Sequence, residues 1–262
     1  MSSVAVVTGA GSGIGRATAV SLAEQQYLLA LLDVDLEHAE ETTTLVRGSR
    51  LDALAVECDV ADPERVAAAF AAVDERFGRI DLLVNNAVIP VPRVHPEDLA
   101  PSDWQRALDV NLTGYFLCAQ AAGRRMIAAG RGGAIVNISS INGSSALGRG
   151  NLAYSVTKGG VNMLTRELAI EWAPHGIRVN AVQPCQTKTA KLVEVLEHPD
   201  VETAGVTQDI LRGIPLGRFA EPDEIAAAVV FLASPRASMI TGAMLPVDGG
   251  NLAFNAGGTV EW

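Results

Sequence analysis

The chain has 262 residues, 48% of them apolar and 19% charged, a globular balance that is long enough to bury a sizeable core and leaves no low-complexity tract to argue for disorder. Its formal net charge of -10 excludes a basic field for nucleic acid or an anionic membrane surface. Runs such as IAAAVVFLA (225–233) fall short of the ~20 apolar residues of a membrane helix, and Cys58, Cys118 and Cys185 are isolated from one another and from His partners, which predicts reduced thiols and no metal site.

In chain order, VAVVTG (4–9) predicts a strand, RATAVSLAEQ (16–25) a helix and YLLALLD (27–33) a strand. ALAVECDV (53–60), the helix PERVAAAFAAVDERFG (63–78) with proline in its first turn, and IDLLVNNA (80–87) repeat that order. A long helical region follows from about Ser102 to Ala129, then GAIVNISS (133–140) as strand, a helix from about Ala153 to Pro174, and IRVNAVQP (177–184) as strand. Thr187 to about Gly217 breaks the rhythm and reads as a lid or a surface excursion; EPDEIAAAVVFLAS (221–234) is a helix and AMLPVDGG (243–250) the last strand and turn. Strands without polar alternation need cover on both faces. The expected fold is α/β, a Rossmann-type doubly wound parallel sheet with helices on both faces, in a single domain over residues 1–262. No charged n-region precedes the first strand, so a cytoplasmic protein is expected.

TGAGSGIG (8–15) joins the first strand to the first helix. Gly9, Gly13 and Gly15 permit a tight turn, close approach of backbone N–H groups to a pyrophosphate, and close helix packing. Asp33 closes the second strand 18 residues after Gly15, where a carboxylate accepts from ribose hydroxyls and repels a 2′-phosphate. Ser12 in the loop is neutral and no cation directly follows Asp33, so NAD is the expected cofactor. Asp35 is an alternative for that role.

Tyr154 and Lys158, in YSVTK, are one helical turn apart in a chain with three residues of each type. A free phenol titrates near 10, and a neighbouring ammonium favours its phenolate. Tyr154 is therefore expected to exchange the proton of an alcohol or carbonyl, with Ser140 fixing the reacting oxygen.

With TGxxxGIG, NNA, Asn111 in NLTG, Ser140 in NISS and YxxxK in this order, the sequence resembles the short-chain dehydrogenase/reductase family along nearly its whole length. The resemblance implies that Asn111, Ser140, Tyr154 and Lys158 are catalytic, with Lys158 holding the nicotinamide ribose and Asn111 a water that links it to solvent. It further implies that Asp59 lies near the adenine, that Asn85 lines the groove and that Thr189 contacts the carboxamide. Ile14, Val60, Asn86, Pro184 and Thr187 complete the expected cofactor-binding set, with Tyr154 and Lys158. A homotetramer, with the Tyr154 helix packed on its copy, is also implied. Three features depart from the pattern: Val88 where glycine is usual, Cys185 after Pro184, and one extra residue between Ser140 and Tyr154.

The loops expected to face substrate are rich in polar groups, with Asn142, Arg149 and Asn151 before Tyr154 and Gln186 after the sixth strand. Together with Ser140 and Tyr154 these form the expected substrate set, which favours a secondary alcohol or carbonyl on a sugar, polyol or hydroxy acid. Two alternatives stay open: a 3-oxoacyl or steroid-type ketone reductase, and a non-catalytic dinucleotide sensor, which needs the loop and Asp33 but not Ser140, Tyr154 and Lys158 together. Phe254 and Trp262 in the tail predict packing against a neighbouring subunit.

Overall fold

A computed structural model describes residues 2–47, 52–146, 148, 150–189, 192–193, 207–208 and 210–254. Seven strands form one parallel sheet: β1 (Val4–Thr8), β2 (Leu28–Asp33), β3 (Ala53–Glu57), β4 (Leu82–Asn85), β5 (Gly133–Ile138), β6 (Ile177–Pro184) and β7 (Met244–Val247). Their spatial order is β3-β2-β1-β4-β5-β6-β7. The chain runs outward from β1 to β3 and then returns to place β4 on the other side of β1, pairing Val7 with both Leu31 and Val84. That reversal opens a crevice at the carboxyl ends of β1 and β4, the position where doubly wound folds bind their ligands.

Helices cover both faces because the strand interiors are apolar on both. Ala5, Val7, Leu29, Leu31, Val84 and Val136 pack one way, against α1 (Gly13–Glu24) and α7 (Pro222–Ala233). Val4, Val6, Ala30, Leu32, Leu83 and Ile135 pack the other way, against α3 (Pro63–Phe77) and α5 (Gly114–Ala129). Local chemistry sets the helix ends: the Asp62 carboxylate accepts from the Glu64 and Arg65 amides in front of Pro63, and Gly78 closes α3 at φ 65. Among the described residues no helix is long and apolar enough to cross a membrane.

Two elements differ from the sequence reading. Leu36–Arg47 forms α2, a helix that went unassigned because its buried face is only Ala39, Thr42, Thr43 and Val46 and three consecutive threonines weaken its helix propensity. The single helix expected over 102–129 is α4 (Pro101–Leu108), a π-helical turn at Asp109–Thr113, and α5. The turn places Asn111, fully buried, where its Oδ1 accepts from the Ile89 amide at 2.9 Å and its Nδ2 faces the Ile89 carbonyl at 3.4 Å. Helix α6 (Leu152–Trp172) packs on this turn so closely that a Cβ on Gly160 would lie 2.8 Å from Leu112. Most of the irregular segment, including 194–206, and the tail from 255 lie outside the described residues.

Candidate active site

Thr8 and Asn86 lock β1 to β4 at the switch point. The Thr8 hydroxyl accepts from the Asn86 and Ala87 amides at 2.9 and 3.1 Å, and Asn86 Nδ2 donates to the carbonyls of Thr8 and Gly9 at 3.0 and 2.9 Å. This clamp leaves no room for a side chain at two positions of the loop above it: a Cβ on Gly15 would fall 2.0 Å from the Gly9 carbonyl oxygen, and one on Gly9, at φ 61, would fall 2.8 Å from Ala87 Cα. Helix α1 begins at Gly13, so its unpaired amides and positive dipole end face the crevice.

The crevice is a cleft of about 470 Å³ lined by Gly9, Ser12, Gly13, Ile14, Asp33, Asp59, Val60, Asn86 and Thr189 of the expected cofactor set. Gly15, Tyr154, Lys158, Pro184 and Thr187 of that set are not part of its wall. Val34, Ala87, Val88, Ile89 and Val110 also line it; being apolar and aperiodic, they carry no sequence signal of their own. Val88 is accommodated without left-handed backbone. Asn85 does not line the groove as the resemblance implies; it is buried in the sheet, where its Nδ2 donates to Asn137 Oδ1 and to the Tyr115 carbonyl.

Asp33 stands on the cleft rim, its Oδ2 accepting from the Gly11 amide at 2.7 Å and its Oδ1 from the Asp35 amide. The neighbouring guanidinium, Arg16, is held by Glu41, Thr42 and the Gly11 carbonyl. A glycine-rich cradle of amides, walled largely by apolar residues with Arg106 and Asp109 among them and ended by the Asp33 carboxylate, fits a dinucleotide with a free ribose.

At the carboxyl edge of β5, Ser140 ends the strand in extended conformation and its Oγ accepts from the Asn142 amide at 3.1 Å. The Tyr154 phenol is half-buried near this hydroxyl, which favours its phenolate. Lys158, one turn along α6, is 1% exposed. Its Nζ donates to the Ile138 carbonyl at 2.7 Å and to the Tyr115 hydroxyl at 3.1 Å, and lies 5.7 Å from the centre of the Tyr154 ring.

The electrostatics correct one expectation. Burial pushes the Tyr154 phenol above its ordinary value, and the Ser140 hydrogen bond, not Lys158, opposes the rise. The reason lies in the lysine, which desolvation brings down to about 7, so that near neutrality its charge is only partly present. Asn111 spends its side chain on Ile89, and thereby fixes a wall of the cleft next to α6. Asn142 is buried with its Nδ2 facing Ser155 Oγ at 3.4 Å, Gln186 is half-buried beside the Thr187–Ala220 bridge, and Asn151 lines a second cleft with Arg93, His95 and Ser155. Arg149 lies outside the described residues.

The sheet order, the amide cradle at the switch point and the Ser140–Tyr154–Lys158 cluster define a nucleotide-binding oxidoreductase. Residues 9–251 match the family model described as enoyl-(acyl carrier protein) reductase. The chain is 47% identical to D-threitol dehydrogenase of Mycolicibacterium smegmatis, over 94% of this chain and 92% of that one. It is 43% identical to cis-4-hydroxycyclohexanecarboxylate dehydrogenase of Sinomonas cyclohexanicum, over 95% and 96%. The crystal structure of NAD+-bound xylitol dehydrogenase superposes with a TM-score of 0.89 at 34% identity, covering 95% of this chain and 98% of that one. The chain belongs to the short-chain dehydrogenase/reductase family, and is an oxidoreductase of secondary alcohols that works with a nicotinamide cofactor.

Proposed function

We propose that the protein is an NAD-dependent dehydrogenase of a polyol or sugar, with Tyr154 as the proton-exchanging group. The observation that carries this reading is the cluster in which Lys158, held by the Ile138 carbonyl, lies 5.7 Å from the Tyr154 ring with Ser140 just past the same strand, at the edge of the sheet that also forms the nucleotide cleft. A bound nicotinamide ring supplies the hydride acceptor for alcohol oxidation, and the donor for the reverse. The Ser140 hydroxyl, whose Oγ accepts from the Asn142 amide, has one proton to give, to the Tyr154 phenolate in the free enzyme and to the substrate oxygen once that is bound. Tyr154 takes the hydroxyl proton as the carbonyl forms, and returns it in reduction. Lys158 supports the phenolate in the fraction of molecules that carry its charge.

Preference for NAD rests on Asp33, whose carboxylate at the cleft rim would accept from a ribose hydroxyl and repel a 2′-phosphate, and on Arg16, which Glu41 already neutralises. A polyol fits the polar groups near Tyr154, and two of the relatives named above are dehydrogenases of tetritol or pentitol type. Self-association is supported by α6, where Leu152, Val156, Met163 and Ile170 are exposed at spacings of four and seven, one stripe on the helix, with Phe116 of α5 exposed as well. We assign that face to a second copy within a homotetramer.

The test is NADH formation from NAD+ with D-threitol, xylitol, glycerol and galactitol, repeated with NADP+. Turnover of at least one polyol, with NAD+ favoured by about tenfold or more, is the expected result. Preference for NADP+, or activity confined to 3-oxoacyl or steroid ketones, would overturn the assignment.

A further inference from the structure

Tyr115 is the largest fully buried side chain among the described residues, and its hydroxyl accepts from a lysine of the catalytic site. It stands in the first turn of α5, directly after the π-helical turn that carries Asn111. Both ends of the residue are fixed: its carbonyl accepts from Asn85 Nδ2 at 3.1 Å, and its hydroxyl donates to the Ile138 carbonyl at 2.9 Å. Because the phenolic proton goes to Ile138, the oxygen's lone pairs are left for a donor. That donor is Lys158, whose Nζ is 3.1 Å away and also lies 4.7 Å from the centre of the Tyr115 ring.

Two of the three ammonium protons are thereby committed, one to Tyr115 and one to Ile138. The titratable groups facing this lysine are Tyr115 of α5 and Tyr154 of its own helix, and among the described residues no carboxylate offsets its desolvation. Burial keeps Tyr115 itself protonated well beyond the ordinary phenol range, so it serves as a neutral acceptor and cannot replace Tyr154 as the base. A hydrogen bond to a charged donor is stronger than one between neutral groups, and here it favours the ammonium over the amine.

We propose that Tyr115 is a positioning residue of the reaction: its hydroxyl anchors the Lys158 ammonium at the floor of the site and raises the fraction of molecules in which that charge stands one turn behind Tyr154. This rests on the assignment of Tyr154 and Lys158 in the proposed function. Tyr115→Phe isolates the hydroxyl, since the ring, its packing and its attraction for the cation all remain.

The chain holds only three lysines, Lys158, Lys188 and Lys191, so lysine labelled with 13C at Cε gives three resonances, assigned through Lys188→Arg and Lys191→Arg. In the wild type the Lys158 signal is expected to titrate near 7. In Tyr115→Phe the midpoint falls by about one unit, and kcat for polyol oxidation with NAD+ at pH 7 falls about fivefold, because fewer molecules carry the ammonium that supports the phenolate. Thr165→Val, which removes an equally buried hydroxyl bonded to Asn137, serves as the control for lost structure: it lowers stability and moves neither the midpoint nor kcat at pH 7. A Tyr115→Phe enzyme with both unmoved overturns the proposal. Turnover that survives Tyr154→Phe overturns the catalytic assignment and leaves the Lys158 midpoint as a separate reading of the Tyr115 contact, so the two failures are distinguishable.

Discussion

Lys158 carries its charge at 1% exposure, against two neutral oxygens and no carboxylate. Its folded midpoint of about 7 lies below the ordinary 10.5, so between those values the unfolded chain binds more protons and stability rises with pH. The penalty is fully present below 7 and is lost as pH rises toward 10.5. Cys58 and Cys185, pushed up to about 11 by burial from an ordinary 9.0, act in the opposite sense above 9, which leaves pH 7 to 9 as the clean window. Chemical denaturation of Lys158→Met is expected to show a stability advantage over wild type, or a smaller deficit, at pH 7 that shifts against the variant by about 2 kcal/mol at pH 9. A pH-independent difference would mean that the lysine is not a desolvated cation.

At the scale of elements, the phosphate loop is set by the meeting of two strands. Asn86 and Thr8 draw β4 against β1, and only glycine fits at 15, where a Cβ would sit 2.0 Å from the Gly9 oxygen. Gly15→Ala is expected to weaken NAD+ binding at least about tenfold, with the loop and α1 forced apart, as measured by titration of NADH fluorescence. Unchanged affinity would show that the loop does not approach the pyrophosphate. This loop was legible in the sequence because its glycines lie between a strand pattern and a helix pattern, with Asp33 at the next strand end. Ser140, Tyr154 and Lys158 were legible for the same reason, as reactive types in fixed register. Tyr115 was not, since an aromatic in an Ala-rich helix reads as core; its role depends on a hydroxyl meeting a lysine 43 residues away. Nor could spacing reveal that burial, which depends on the whole packed site, outweighs a charge one turn away at Tyr154. Helix α2 was hidden by its threonine-rich buried face.

For the molecule as a whole, the parallel sheet followed from strands that are apolar on both faces, and the order β3-β2-β1-β4-β5-β6-β7 places the loops of β1, β4, β5 and β6 along one edge. The same architecture leaves the outer face of α6 apolar. Met163→Glu combined with Ile170→Glu is expected to reduce the assembly to smaller species by light scattering, while a wild-type monomer at working concentration would refute the homotetramer. All of this serves one chemical claim, that a phenol at the sheet edge passes a proton while hydride moves to or from the nucleotide. The most direct test is Tyr154→Phe assayed for NADH binding and for polyol turnover in the same preparation: binding within about twofold of wild type with turnover reduced by about a hundredfold or more is expected, whereas turnover near the wild-type rate would contradict the account.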